Sequence, residues 1–315
     1  MTREQVLNSR DALKRFCRDY NVPVSTFDSN HFYNQLNTLS LYSDHYIKLF
    51  DEFVQELEPY PSIESYFEYY NSVKEKIIDY IHSSLEFKSF SESIINTPKV
   101  IKQELYSPSN NGRDFISIDL RKANFTILEM NCPNLFNGKT WEDFMRDFGA
   151  SEYLVKSKYI RQVIFGACNP KKQIQAQTKL MSDIATKLQL EDFNVYSVVT
   201  DEIILSVDPS CPTNVTEVIA TLRHYFPEII DKLKIECFNL IKNTQGYEKF
   251  VVASSDAQKW FSVFKCIDSD VFCQVIKYYY HQDIEESDLV FDYKGSLARF
   301  MNPISNPFQN DYLGG

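Results

Sequence analysis

Between positions 32 and 57 the apolar residues Leu36, Leu39, Tyr46, Leu49, Phe50, Phe53, Val54 and Leu57 recur about every 3.6 positions, which predicts one amphipathic helix. Pro59 and Pro61 stop it, and a second helix is predicted over 63–85. Residues 1–105 therefore read as a helical region. The run Tyr-Ser-Pro-Ser-Asn-Asn-Gly-Arg at 106–113 is rich in turn formers and marks a boundary. The period then changes. Residues 115–120 form a short apolar strand ending near Asp119, and 121–131, 151–165 and 171–190 read as helices. On the last of these, Ile174, Leu180, Met181, Ile184 and Leu188 share a face. Two β-rich runs, 195–199 and 203–207, bracket Thr200-Asp201-Glu202 and predict a hairpin with two acids at its tip. A helix over 215–226 follows. Beyond Gly246 the pattern predicts strands at 250–254 and 259–265, a helix at 270–280, a strand at 288–292 and a last helix at 295–301. The class is α+β, divided into a helical region (1–105), a mixed region (106–245) and a C-terminal α+β extension (246–315).

Composition narrows the chemistry. The chain has 315 residues, 43% of them hydrophobic, enough for a core without metal or disulfide staples. Only 8 residues are Gly, so Gly-rich phosphate loops are not expected. Gly138-Lys139-Thr140 has the ending of such a loop, but Pro133 stands where its first Gly belongs. No GxGxxG, GxSxG or HExxH occurs, and the 5 His are scattered, so a nucleophile-and-base hydrolase has no support. The 7 Cys form no CxxC pair and are expected to be reduced thiols. The opening Met-Thr-Arg-Glu-Gln lacks an apolar signal region, and no apolar run approaches a membrane span. A cytoplasmic protein without membrane contact is the expectation. The net charge of −10 argues against non-specific coating of nucleic acid but leaves room for a local basic groove.

The candidate chemistry is acidic. Asp119 closes an apolar strand, where an unpartnered carboxylate is costly. Asp201 and Glu202 occupy a hairpin tip where Asn-Gly or Asp-Gly is usual. If the two strands are neighbours, these carboxylates converge, and carboxylates on rigid strands suit Mg²⁺, with Mn²⁺ as the alternative ion. The plainer reading makes Asp119 a hydrogen-bond acceptor and Asp201-Glu202 a solvated turn. Between the acids, residues 151–190 carry seven Lys or Arg against two acids. Lys158 and Arg161 share a helix face, and Tyr159 and Phe165 add aromatic surface. That combination suits a nucleoside triphosphate.

In this order the segments resemble the palm and fingers of template-directed nucleic-acid polymerases, most of all the family-A DNA polymerases. The first motif of that family is matched by Ile118-Asp119-Leu120-Arg121-Lys122-Ala123-Asn124-Phe125. Its Asp-Glu motif is matched by Val198-Val199-Thr200-Asp201-Glu202-Ile203-Ile204-Leu205. Lys158 and Phe165-Gly166 correspond to the Lys and aromatic-Gly pair of its fingers helix, and the helix from Gln173 to its palm helix. Thr200 replaces the family's His, and Asn124 stands where a Glu is expected.

The resemblance implies a polymerase-like palm of antiparallel sheet and packed helices, reduced helical fingers and a thumb-like region over 1–105. It implies nucleotidyl transfer with Asp119, Asp201, Glu202 and Lys158 as catalytic residues. Asp119, Leu120, Asp201 and Glu202 would contact metal. Arg161, Tyr159, Phe165, Asn124, Phe125 and Arg121 would bind nucleotide, and Lys171, Lys172, Gln173 and Gln177 nucleic acid. Expected partners are a nucleic-acid template, a primer, nucleoside triphosphates and a protein that retains the chain on its template. The competing expectation is a palm-derived module without chemistry that binds nucleic acid or protein. In the C-terminal extension, Lys259-Trp260-Phe261 and Tyr278-Tyr279-Tyr280 read either as base-stacking platforms or as packed aromatics.

Overall fold

A computed structural model describes the whole chain except residues 25, 27–28, 44, 209–214, 253–259, 295 and 310–315. Six helices come first: α1 (Arg3–Leu7), α2 (Arg10–Tyr20), α3 (Ser29–Tyr42), α4 (His45–Leu57), α5 (Ile63–Ser83) and α6 (Leu85–Glu92). The longest of them shows why they form. Ser62 caps α5, and Ile63, Tyr66, Tyr70, Val73, Ile77 and Ile81 make one buried stripe at helical spacing. The single helix expected over 32–57 is two, α3 and α4. Ser43 interrupts it, its hydroxyl accepting from the His45 amide at 3.4 Å, the local competition that makes Ser a helix boundary residue.

Strand β1 (Arg113–Leu120) opens the mixed region. Helices α7 (Ala123–Asn131), α8 (Pro133–Phe136), α9 (Trp141–Asp147), α10 (Glu152–Lys156), α11 (Lys158–Ala167) and α12 (Pro170–Leu190) follow, then β2 (Val195–Val198), β3 (Glu202–Ser206) and α13 (Val215–Tyr225). The remaining elements are β4 (Leu233–Lys242), β5 (Tyr247–Val252), β6 (Trp260–Lys265), α14 (Phe272–Tyr279), β7 (Val290–Tyr293) and β8 (Ser296–Arg299). The main sheet has six antiparallel strands in the order β2-β3-β1-β4-β5-β6, and β7 and β8 form a separate hairpin. Within the sheet, β1 through β4 follow the β-α-β-β-α-β course of ferredoxin-like folds, with several helices in the first crossover. The α+β class stands.

The two faces of the sheet differ. Ile116, Ile118, Leu120, Ile203, Leu205 and Leu233 face the helical layer and join a core that runs without a break from Val6 through the N-terminal helices to Ile276. On the other face Phe115, Ile204, Phe238, Leu240, Tyr247 and Val251 make a small second core under Leu105 and Tyr106. Toward the end of β1, that second face becomes polar: Ser117 and Asp119 stand on it, two and four residues beyond Phe115.

The helix expected over 151–165 is also two, α10 and α11, parted at Ser157, whose hydroxyl caps α11, and two further elements differ from the sequence pattern. Residues expected as a last helix over 295–301 include strand β8, paired with β7 from Tyr293↔Ser296 to Val290↔Arg299. The chain turns at Lys294, whose φ is 53°. Residue 295 lies outside the described residues, as do 253–254 at the end of an expected strand and Lys259 of the aromatic cluster. Strand β4, next to β1 across the whole length of that strand, is absent from the sequence prediction. Its alternation is clean from Leu233 to Cys237 but is lost where Phe238 and Leu240 enter the second core.

Candidate active site

The acids converge where β1 ends. In the antiparallel register Asp119 lies opposite Glu202 on one side and Lys234 on the other. The Leu120 amide donates to the Asp201 carbonyl at 2.8 Å, which fixes the hairpin tip against the end of β1. All three carboxylates are partly buried. Burial pushes the Asp119 carboxyl above its ordinary range, the negative charges of Asp201 and Glu202 add to the shift, and Lys234 opposes it. Asp119 and Asp201 are thus brought near one another through the Asp201 main chain, and their charges interact.

Glu202 is engaged elsewhere. Its Oε1 accepts a hydrogen bond from Ser117 Oγ at 2.7 Å and lies 3.7 Å from Lys249 Nζ. Lys249, on β5, is nearly buried and its ammonium sits 4.3 Å from the centroid of the Phe238 ring. Burial lowers the Lys249 pKa, Glu202 opposes that shift, and Lys265 reinforces it. A second ion pair, Lys234–Glu236 at 2.8 Å, lies on the same face. Among the described residues, no group of three or more His, Cys, Asp or Glu stands ready to hold a metal. Asp119 and Asp201 crowd negative charge at this point, and Asp201 raises the cost of ionising Asp119. Glu202, held by Ser117 and Lys249, does not complete the set, and the side chain of Leu120 is buried in the helix-facing core.

Beyond β1 the chain enters α7 through Lys122, held in the left-handed region at φ 48°. Lys122 Nζ pairs with Glu142 at 2.5 Å. A cleft of about 360 Å³ opens here, with Arg121, Lys122, Lys139 and Lys232 among its walls and Glu129 and Asp231 as its acids. Lys232 is paired with Glu129 at 2.5 Å and Lys139 with Asp147 at 2.5 Å. Arg121 is exposed, and its amide donates to the Lys232 carbonyl at 2.9 Å.

Helix α11 brings Lys158 and Arg161 to its first turn. Lys158 is exposed and Arg161 partly buried. Burial pulls the Arg161 guanidinium below its usual value, and nearby Glu142, the partner of Lys122, opposes this. Tyr159 turns the other way, its ring 5.0 Å from the Arg15 guanidinium of α2. Phe165 is fully buried, its ring centroid 5.2 Å from that of Trp141. A base cannot stack on Phe165 in this arrangement, which corrects the sequence expectation. Apolar spacing alone does not separate a core aromatic from a stacking one. Phe125 is likewise core, 4.8 Å from Phe136.

The residues expected to grip nucleic acid divide. Lys171 is exposed, and Lys172 donates to the Ser93 carbonyl. Gln173 and Gln177 are buried and support structure. Gln173 Nε2 donates to the Phe165 and Cys168 carbonyls at 2.9 and 2.5 Å, satisfying the end of α11. Gln177 Nε2 donates to Asn124 Oδ1 at 2.6 Å, tying α12 to α7. Their burial also corrects the expected face of α12. Its inner stripe runs through Gln173, Ala176, Gln177, Met181, Ile184, Ala185 and Leu188, while Ile174 is half-exposed. In the C-terminal extension, Trp260 and Phe261 are exposed, whereas Tyr279 packs on Phe264 at 5.2 Å.

Sequence reasoning missed Ser117 and Lys249. Ser117 carried a signal, being a polar residue inside an apolar strand and two positions before Asp119. Lys249 carried none, because the approach to Glu202 depends on the order of the sheet. No protein-family model matches the chain, and no curated protein matches it.

Proposed function

We propose that the chain is a template-directed nucleotidyltransferase built on a reduced polymerase-like palm, with Asp119 and Asp201 as its catalytic carboxylates. One observation carries the reading. Asp119 near the end of β1 and Asp201 in the turn before β3 come together at the polar end of an antiparallel sheet, and Arg121, two residues past Asp119, lines a cleft with Lys122, Lys139 and Lys232. Mg²⁺ or Mn²⁺, when bound, would activate the attacking hydroxyl and neutralise the leaving pyrophosphate. Asp119 and Asp201 would hold that charge. Arg121 and Lys122 would receive the triphosphate in the cleft, with Arg161 and Lys158 approaching it from α11. A primer 3′-oxygen, or that of an initiating nucleotide, would attack the α-phosphorus. The new P–O bond forms as the bond to pyrophosphate breaks. Asn124, fixed by Gln177, would lie toward the sugar.

The test is primer extension on DNA and RNA templates, with ribo- and deoxyribonucleotides, in Mg²⁺ and in Mn²⁺. Wild-type protein should extend, and Asp119→Asn and Asp201→Asn should not. Either variant extending at the wild-type rate overturns the assignment. The engagement of Glu202 by Lys249 and Ser117 favours a second reading, a palm that binds nucleic acid without chemistry. That reading requires wild-type protein to give no product and to bind template equally with and without divalent cation.

A further inference from the structure

The cleft beyond β1 holds a donor that a triphosphate alone would not use. Trp141, at the start of α9, is fully buried and lines the cleft, yet its indole N–H has no hydrogen-bond partner among the described residues. An indole nitrogen only donates, and a buried donor left unpaired costs free energy until an acceptor arrives. The buried Phe125 ring lines the cleft as well, its centroid 6.0 Å from that of Trp141. Of the four basic side chains, Lys122, Lys139 and Lys232 are each held by a carboxylate. Arg121 is exposed and has no ion pair among the described residues. The turn Gly138-Lys139-Thr140 also walls the cleft. Its side chains are committed, Lys139 to Asp147 and the Thr140 hydroxyl to Asp143 at 2.7 Å.

Two unfilled donors therefore share one cleft, a cationic fork exposed to solvent and a neutral N–H among buried rings. They call for different ends of one ligand. The guanidinium suits a phosphate. The indole suits an uncharged oxygen or nitrogen on a ring, because an anion drawn among buried rings would lose its hydration. The volume of about 360 Å³ is in the range of small-molecule sites. Asp231, an exposed carboxylate on the same wall, can accept from ribose hydroxyls or base amino groups, which favours a nucleoside over a simple phosphate ester. We propose that the cleft binds a nucleoside phosphate lengthwise, with phosphate on Arg121 and an acceptor of the nucleoside on Trp141 Nε1, so that Trp141 recognises the nucleoside end. The inference deepens the triphosphate reading above, which assigned the cleft to phosphates only, and it needs neither metal nor turnover. The N–H is shut off from water, so the acceptor reaches it only as neighbouring side chains give way.

The indole N–H signals in a ¹H–¹⁵N spectrum test this, because the chain has only 2 Trp and Trp260→Phe identifies the signal that belongs to Trp141. In EDTA, at least one of AMP, GMP, CMP and UMP should move the Trp141 signal downfield as the proton gains an acceptor, and inorganic phosphate should leave it in place. Arg121→Ala should weaken binding of that nucleotide about tenfold or more, through loss of a charge-assisted bond. Trp141→Phe, followed by equilibrium dialysis of the labelled nucleotide, should weaken it about fivefold and leave the binding of inorganic phosphate unchanged. A Trp141 signal that ignores every nucleotide overturns the inference, as does inorganic phosphate moving it equally, or wild-type nucleotide affinity in Trp141→Phe. If Trp141→Phe does not melt cooperatively, the signal and Arg121→Ala decide. Failure of the polymerase reading looks different. A protein whose Trp141 signal responds to a nucleotide but which gives no extension product keeps this site and loses the polymerase. Extension that Asp119→Asn abolishes, with a Trp141 signal that ignores every nucleotide, keeps the polymerase and loses this site.

Discussion

At the scale of single residues, Asp119 shows the conflict that a site of this kind stores. Its carboxyl is raised by burial and by two neighbouring acids, so ionising it costs more in the fold than in the unfolded chain. The sign follows from linkage. A carboxyl with a raised folded pKa weakens the fold as pH climbs through its unfolded and then its folded value, and the penalty stays constant above both. Asp119→Asn should remove that penalty. In EDTA at neutral pH the variant should melt at the same temperature as wild type or higher, with the difference shrinking as pH falls below the carboxylate range. Added Mg²⁺ should raise the wild-type melting temperature and leave the variant unmoved. A variant that melts lower in EDTA would show that Asp119 is a structural acceptor. Phe165 obeys the opposite logic. It is fully buried against Trp141, so Phe165→Ala should cost about 3–5 kcal/mol in chemical denaturation through cavity formation. Triphosphate affinity measured on the remaining folded protein should change little. Arg161→Ala should do the reverse, keeping stability and weakening triphosphate binding more than template binding. If template binding collapses instead, α11 is a template groove.

At the scale of elements, α11 is held by a buried polar network rather than by apolar contact alone. Asp19 on α2 accepts two hydrogen bonds from Arg15 at 2.6 and 3.0 Å, one from Tyr153 at 3.0 Å and one from Ser157 at 2.9 Å. Ser157 is itself the N-cap of α11. The Arg15 guanidinium, raised by Asp19 against the pull of burial, lies 3.7 Å from the centre of the Tyr70 ring on α5. Removing one partner of a buried pair strands the other, so Asp19→Ala should cost about 3–5 kcal/mol in urea or guanidinium unfolding. It should also speed amide exchange in the first turn of α11, where the cap sits. A loss of less than about 1 kcal/mol would mean that the network is solvated. None of this was visible in the sequence, because the partners come from α2, α5, α10 and the start of α11. Local signals served better. Ser62 and Asn169 cap helices close to where the pattern starts them, at 63 and 171, whereas the helix expected to run through Ser157 is broken by that residue's cap. The hairpin at Asp201 and the strand ending at Asp119 were both legible from β-rich runs. What failed was any inference that required knowing what covers a face. The α12 stripe includes Gln173 and Gln177 because their amides find partners, and β4 escaped notice because Phe238 and Leu240 meet a second core.

At the scale of the molecule, charge is the governing quantity. The chain carries a net charge of −10, and of the four basic side chains that wall the cleft beyond β1, Lys122, Lys139 and Lys232 are already paired with Glu142, Asp147 and Glu129, so its pull on phosphate rests chiefly on Arg121. Among the described residues no helix is long and apolar enough to cross a membrane. A nucleic acid approaching this protein meets overall repulsion and local attraction. Only the phosphates that reach the basic cleft and α11 are neutralised, and each such contact releases condensed counterions. For three or four contacts on duplex, log K against log salt should have a slope of roughly −3 to −4, at about −0.9 per contact. Lys171→Ala should reduce the magnitude of the slope by up to about one unit if that exposed lysine touches a phosphate. Affinity without further help should be weak, and the proposed chemistry then requires something else to hold the template in place. A matched triphosphate with Mg²⁺ meets that need, because it adds positive charge at the Asp119–Asp201 pair and a base that pairs with the template. Filter binding at fixed salt should therefore show tighter retention of a primed template when the matched triphosphate is present than with a mismatched one. The Asp201→Asn variant should lose that difference while keeping the same salt slope. Equal retention with matched and mismatched triphosphates, together with no extension product, would make the non-catalytic palm the better account of the whole molecule.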